Sequence, residues 1–252
     1  MSARIAAVLD PQIALMAGGH HAKAMPDRIL ADPRMANVRA LILGEAEPRV
    51  VALLEDERRR AELPGVMWRD PLLGTHAAGI PRQSTATALL ALDVNTLPLV
   101  NRAFLPQDPY TAPDGRIEAN IVGSRGCPYN CTFCGAAVSA NPDVTIRVRR
   151  PESIIEELHA LHDEHGVTAF RFVDDLFLGA GRVITEQMAA FTRHGTGDRF
   201  VWDATGRINV LDRLTDSELD HLVANGLREV ARVRSPGRNR STKPGVLVRA
   251  NG

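Results

Sequence analysis

The alternation of apolar and polar positions predicts strand–helix units in the N-terminal part of the chain. Apolar runs at 12–19 and 38–43 are typical of buried strands, and each is followed by a helical pattern with a proline near its start, Pro26 or Pro48. Strands that alternate with helices indicate a parallel sheet with helices packed on it. Only a fragment of such a doubly wound domain is expected here, because the first predicted strand already reads as an interior one.

A second series of units begins near Arg116. Strands are predicted from Arg116 and at 168–173, 200–205 and 227–230, and helices at 151–165, 182–194 and 215–225. Thr215 followed by Glu218 is a capping-box signature for the last helix. The repeated β/α units predict a (β/α) barrel, whole or partial, with its chemistry at the carboxyl ends of the strands.

Composition marks two further regions. Prolines recur through residues 63–116 without sustained periodicity, which predicts a linker, although Val66-Met67-Trp68 could form a hairpin strand. From Ala231 to the end there are six basic and no acidic residues, so 234–252 is predicted to be a disordered basic tail. The predicted organisation is 1–62 as a partial α/β domain, 63–116 as linker, 117–233 as an incomplete barrel, and the tail.

Charge and hydropathy exclude several classes of protein. Thirty basic residues balance thirty acidic ones, which argues against a chain built to hold nucleic acid or an anionic membrane. No apolar run approaches the roughly 18 residues of a membrane span, and the N-terminus lacks a secretory layout. We therefore expect a soluble, cytoplasmic protein.

The three cysteines carry the strongest chemical signal. Cys127, Cys131 and Cys134 fall within eight positions, whereas a disulfide framework would use an even number spread along the chain. Three thiolates from one loop can hold three irons of a 4Fe–4S cluster and leave the fourth iron open to a small molecule. A zinc site completed by His159 or His162 is the alternative, and cysteines that only pack are a third possibility.

The segment Cys127-Pro-Tyr-Asn-Cys131-Thr-Phe133-Cys134 resembles the CxxxCxΦC signature of the radical S-adenosylmethionine superfamily, with Phe133 as the aromatic Φ. Its surroundings resemble the branch with an N-terminal cobalamin-binding domain. Three other segments are similar to motifs of that branch: Gly18-Gly19-His20-His21-Ala22, Gly44-Glu45-Ala46-Glu47 and Phe172-Val173-Asp174-Asp175-Leu176-Phe177.

The resemblance implies a mechanism and roles for individual residues. The cysteines would hold a 4Fe–4S cluster whose open iron chelates S-adenosylmethionine, and one electron would split the sulfonium to give methionine and a 5′-deoxyadenosyl radical. Phe133 would lie near the adenine, Asp174 and Asp175 would accept from the methionine ammonium or the ribose, and Arg207 would meet the carboxylate. An unknown small molecule would be the substrate for hydrogen abstraction or methyl transfer, and a flavodoxin or ferredoxin would donate the electron.

The same resemblance assigns residues 1–62 to part of a flavodoxin-like cobalamin-binding domain, with Gly18, Gly19, His20, Gly44 and Glu45 as cofactor contacts. Two departures qualify it. Gly74 stands where the branch has the aspartate of DxHxxG, which counts against cobalamin, and the C-terminus lacks a GIESGS-like segment. We expect about four of six β/α units, so a remnant that a partner chain completes is an alternative to a competent enzyme.

Overall fold

The computed structural model describes residues 15–70, 80–84, 92–102, 111, 115–132, 134, 146–233 and 247–250. The chain divides into two compact units, Met1–Leu92 and Asp93–Gly252. None of the helices in the described ranges is long and apolar enough to cross a membrane.

The first unit contains a four-stranded sheet of order β1-β2-β3-β4, in which β1 and β2 are parallel and the other neighbours antiparallel. Its elements are β1 (Leu15–Gly18), α1 (Gly19–Ala24), α2 (Pro26–Ala31), β2 (Val38–Ile42), α3 (Glu47–Glu55), β3 (Val66–Asp70) and β4 (Ile80–Gln83). Short 3₁₀ turns cover Pro33–Met35 and Glu57–Ala61.

Helices cover both faces of this first sheet. On one face Ala22 of α1 and Leu30 of α2 pack with Leu41 and Met67. On the other face Leu53 of α3 packs with residues of β2 and β3 that include Trp68. Successive side chains of a strand point to opposite faces, which is why Met67 and Trp68 belong to different clusters.

The sheet extends into the region predicted as linker. Val66–Asp70 and Ile80–Gln83 form an antiparallel pair that continues the first sheet, so residues 66–83 do not simply connect two domains. The reason lies in backbone hydrogen bonding: β3 covers the edge of β2 that would otherwise present unpaired N–H and C=O groups.

The second unit is built on a five-stranded, entirely parallel sheet of order β11-β10-β9-β8-β5. Its strands are β5 (Glu118–Ile121), β8 (Ala169–Phe172), β9 (Val201–Arg207), β10 (Leu227–Val233) and β11 (Leu247–Ala250). A short antiparallel ribbon, β6 (Ser124–Arg125) with β7 (Arg147–Val148), stands beside the sheet. The helices are α4 (Pro151–His165), α5 (Gly181–Arg193), α6 (Thr196–Arg199), α7 (Ile208–Leu211) and α8 (Asp216–Ala224).

One face of the parallel sheet forms the main core. Phe170, Phe172 and Trp202 are fully buried there against apolar residues of α4, α5 and α8. The opposite face of the sheet carries Arg171 and Asp203. These two residues form ion pairs with Glu118 and Arg228. Thr215 and Glu218 make the capping box predicted for α8.

The parallel sheet contains one more strand than the sequence pattern indicates. Leu247–Ala250 pairs with β10 inside the stretch predicted to be a disordered tail. The basic residues there suggested solvation, but β10 offers an open row of backbone donors and acceptors that a short extended segment can satisfy.

Candidate functional site

The predicted site residues of the second unit gather at the carboxyl edge of the parallel sheet. The cysteine loop comes after β5 and is connected to it by β6. Asp174 and Asp175 come shortly after β8, and Arg207 is the last residue of β9. Because β5, β8 and β9 are adjacent parallel strands, their carboxyl ends lie side by side. The structure therefore places these residues along one edge of the sheet.

The three thiols lie close enough for their charges to interact. Burial raises the pKa of Cys127, and charges on Asp175, Cys131 and Cys134 raise it further, against a backbone hydrogen bond from Tyr129. The amide of Cys134 donates to the carbonyl of Cys131 at 3.1 Å, which forms a turn between these two cysteines. A bound cation would favour the thiolate forms that this proximity disfavours.

No three His, Cys, Asp or Glu side chains in the described ranges converge so as to hold one metal ion. An iron–sulfur cluster uses each cysteine on a different iron, so its fit depends on the soft donor set in one loop rather than on a single point of convergence. The half-buried Cys127, Cys131 and Cys134 supply that donor set.

Asp174 is the most perturbed acid at this edge. Its side chain is buried, and desolvation raises the pKa of Asp174 to about 6, although hydrogen bonds from Ser124 and Gly123 act to lower it. The amide of Gly123 donates to Oδ1 at 2.8 Å. The other oxygen, Oδ2, is buried without a well-formed hydrogen bond. A buried carboxylate oxygen in this state is a position where a ligand donor would be favourable.

The two adjacent aspartates face different surroundings. Asp175 is exposed, and its charge acts on Cys127. Gly123 explains the close approach of β5 to the Asp174 segment: a Cβ there would lie 2.7 Å from Phe177 and 2.8 Å from Phe172, whose rings stack at 3.5 Å. No larger residue fits at Gly123 without displacing this aromatic pair.

Arg207 contacts the cysteine loop directly. Its guanidinium carbon lies 3.5 Å from the centroid of the Tyr129 ring, a cation–π contact between the end of β9 and the residue midway between Cys127 and Cys131. Its Nε is buried without a hydrogen-bond partner, and Oδ1 of Asn209 on α7 is in the same state. Sequence reasoning missed Tyr129 and Asn209; the aromatic inside CxxxC was the available signal for the first.

The residues predicted in the first unit share another sheet edge. Gly18, Gly19 and His20 follow β1 and are exposed, while Gly44 and Glu45 follow the parallel strand β2. His20 is the second residue of the short helix α1. The carbonyl of Glu45 accepts from Arg49, and its Oε2 accepts from the amide of Leu92 at 3.2 Å.

The histidines of the alternative zinc site lie elsewhere. His159 and His162 contact the ring of Phe200, and Nδ1 of His162 lies 3.0 Å from the carbonyl oxygen of Val167. Val167 and Phe200 precede β8 and β9, so these histidines are at the amino edge of the sheet and the cysteines at the carboxyl edge. Phe133 and the Gly74 region lie outside the described residues.

The chain is similar in sequence to curated methyltransferases. No family model matches the chain. It is 28% identical over 211 residues to an uncharacterised methyltransferase of Pyrococcus horikoshii, covering 83% of this chain and 43% of the relative. It is 25% identical over 253 residues to cytidylyl-2-hydroxyethylphosphonate methyltransferase of Streptomyces wedmorensis, covering 90% of this chain and 45% of the relative. The chain thus spans less than half the length of these relatives.

Two solved structures share the fold. The radical S-adenosylmethionine methyltransferase TsrM of Kitasatospora setae, with cobalamin and a [4Fe-4S] cluster bound, matches with a TM-score of 0.55 at 18% identity, over 88% of this chain and 41% of that one. The cobalamin-dependent S-adenosylmethionine radical enzyme OxsB matches with a TM-score of 0.60 at 14% identity, over 86% of this chain and 30% of that one. The chain is thus similar in sequence to methyltransferases and in fold to cobalamin-dependent radical S-adenosylmethionine enzymes.

Proposed function

We propose that this chain carries the iron–sulfur core of a radical S-adenosylmethionine enzyme, with Cys127, Cys131 and Cys134 as cluster ligands. The supporting observation is that two buried atoms without partners, Oδ2 of Asp174 and Nε of Arg207, belong to strand ends beside the three-thiol loop. A ligand with both an ammonium and a carboxylate would satisfy both atoms, and S-adenosylmethionine has both groups.

Each residue at the carboxyl edge of the second sheet would have its own role in binding S-adenosylmethionine. Asp174 would accept a hydrogen bond from the methionine ammonium or the ribose, and Asp175, exposed beside Cys127, would favour a cationic group near the loop. Arg207 would meet the methionine carboxylate while it remains stacked on Tyr129. Phe133 would place its backbone near the adenine. The reduced cluster, when bound, supplies one electron that breaks a carbon–sulfur bond of S-adenosylmethionine, and the protein's part is orientation and exclusion of water.

The parallel strands β5, β8, β9 and β10 would form an incomplete (β/α) barrel over residues 117–233, and β11 would add a fifth strand from the predicted tail. Residues 1–62 would be a fragment of a cobalamin-binding domain, with Gly18, Gly19, His20, Gly44 and Glu45 at its ligand edge. TsrM and OxsB hold cobalamin. A parallel-strand edge is where doubly wound folds bind ligands, which favours this assignment, and Gly74 in place of an aspartate counts against it.

Methyl transfer to a small molecule is the reaction we propose, because two of the curated relatives are methyltransferases. A flavodoxin- or ferredoxin-type protein would supply the electron. A partner chain that completes the barrel is the alternative arrangement.

Electron paramagnetic resonance of the anaerobically reconstituted, dithionite-reduced protein tests the proposal. We expect a cluster signal that shifts when S-adenosylmethionine is added, because the nucleoside would occupy the open iron. A signal that stays unchanged would indicate a cluster loop without a cofactor pocket. Absence of a cluster signal, with zinc found by elemental analysis, would overturn the proposal.

A further inference from the structure

A short antiparallel ribbon joins the two ends of the cysteine loop. β6 and β7 pair antiparallel, Ser124 with Val148 and Arg125 with Arg147, immediately before and after residues 126–146. The amide of Arg149 extends this pairing by donating to the carbonyl of Gly123 at 2.8 Å. Whatever holds the β6–β7 ribbon in place therefore sets where the loop and its thiols stand.

A single arginine ties that ribbon to the core. Nη1 of Arg149 donates to the carbonyl of Val122 at 2.9 Å and to Oε2 of Glu157 at 2.5 Å. Nη2 donates to both the carbonyl and the hydroxyl oxygen of Ser153, each at 3.0 Å. The guanidinium thus joins the end of β5, the exit of the ribbon and helix α4.

Glu157 is the centre of this arrangement. It is buried on α4, and its second oxygen, Oε1, accepts from Nη2 of Arg102 at 2.9 Å; the same Nη2 donates to the carbonyl of Asn120 at 2.9 Å. Both carboxylate oxygens are therefore engaged by arginines from separate segments. Such a buried charge is retained only where its partners are fixed, because removal of one partner leaves an uncompensated charge.

We infer that Glu157 is a positioning residue for the cysteine loop: through Arg149 it fixes the β6–β7 ribbon and so the spacing of the thiols that would hold the cluster. The contacts of Glu157 do not depend on the proposed function, whereas their consequence for cluster binding rests on it. Two other contacts hold the same strand: Gln187 donates to the carbonyl of Arg149 at 3.1 Å, and Oδ1 of Asn95 accepts from the amide of Arg150 at 2.8 Å. They let the ribbon form when Glu157 is changed, so the variant can be purified and compared.

The test compares Glu157→Gln with Glu156→Gln, the exposed neighbour on the same helix, in the full chain. In the metal-free protein, we expect Glu157→Gln to raise the alkylation rate of the three cysteines by iodoacetamide about tenfold, because loss of a charge-assisted hydrogen bond promotes local opening. Glu156→Gln should react like the unchanged chain. Equal rates in the two variants would overturn the inference, whether or not the chain binds a cluster.

A second variant separates positioning from folding. Arg149→Gln removes the other half of the pair, and the double variant should react no faster than either single one, because both changes break the same link. Additive effects with a matching loss of circular dichroism would instead indicate general destabilisation and overturn the inference. In the reconstituted protein, Glu157→Gln should lower iron content and broaden the cluster signal, whereas no cluster in the unchanged chain would count against the proposed function alone.

Discussion

The carboxyl edges of the two sheets differ in how their polar groups are satisfied. At the second sheet, Oδ2 of Asp174 and Nε of Arg207 are buried without partners, next to three thiols. At the first sheet, Gly18, Gly19 and His20 are exposed to solvent, and Glu45 accepts hydrogen bonds from Arg49 and Leu92. Buried polar atoms are almost always paired in native proteins. The first edge has one such unsatisfied atom, Nε of Arg49, whose Nη1 and Nη2 donate to backbone carbonyls. The second edge combines an unsatisfied buried acid and an unsatisfied arginine with three thiols, which gives it the character of a site prepared for a ligand.

The largest expected effect tests whether the second edge depends on its thiols. Cys131→Ser should abolish cluster formation, because a hydroxyl is a poor ligand for iron and the other two cysteines leave two of the four irons without a protein ligand. Iron and sulfide analysis after anaerobic reconstitution measures the loss. Thr132→Ala, the exposed neighbour, should load normally. Full loading of the serine variant would remove Cys131 from the ligand set.

Asp174→Asn should have the next largest effect. It should change both the affinity for S-adenosylmethionine and the pH dependence of stability. Affinity for S-adenosylmethionine should fall by about tenfold or more, because a buried carboxylate that accepts from a cation is lost. Calorimetric titration of the reconstituted protein measures this, with Asp163→Asn, at an exposed position of α4, as the control. Unchanged affinity in the Asp174 variant would separate this residue from the binding site.

The stability of the same variant should depend on pH. Burial raises the pKa of Asp174 to about 6 from 3.8, so the folded state holds its proton more tightly than the unfolded state. The resulting stabilisation is present below the unfolded pKa and is lost as pH rises through the folded one, by about 3 kcal/mol in all. Chemical unfolding of the apoprotein at pH 4.5 and 7.5 should show about 2 kcal/mol of this loss in the unchanged chain and none of it in Asp174→Asn.

A smaller effect is expected at the contact between Arg207 and Tyr129. Arg207→Lys keeps the charge but loses the planar group that stacks on the ring, so affinity for S-adenosylmethionine should fall about threefold to tenfold. The shift of the cluster signal on titration with the nucleoside measures it. Arg213→Lys, at an exposed position, is the matched control. Identical titrations would show that the stack does not contribute to the pocket.

The sequence predicted the elements of the second unit well because each carries strong local signals. The apolar face of 151–165, the glycine after it and the Thr215–Glu218 capping box all act within a few residues. The strand-end positions likewise predicted that Asp174 and Arg207 lie at the carboxyl edge of the sheet, whereas the chemistry of the cysteine loop stays a prediction.

The sequence pattern did not predict which strands pair when they lie far apart in the chain. β3 and β4 became part of the first sheet, and β11 joined the second, because each satisfies a neighbouring strand edge far from it in sequence. The same limit hid Glu157 and Tyr129: the first resembles any polar helix position, and its importance comes from arginines 8 and 55 residues away. Only the fold shows that these partners converge.

The smallest expected effect concerns a glycine at the carboxyl edge of the first sheet. Gly19 adopts a φ of +85°, and nothing lies within 4 Å of a Cβ built there. Gly19→Ala should therefore cost about 1 kcal/mol through backbone strain alone, without a steric clash. Gly181→Ala, where the space is also open and no such φ occurs, should be neutral or slightly stabilising. Urea unfolding measures both, and the cluster signal should shift with S-adenosylmethionine in each variant as in the unchanged chain. If Gly19→Ala instead weakened that shift, the first edge would contribute to the nucleoside site, and the difference in polar satisfaction between the two edges would no longer identify where the ligand binds.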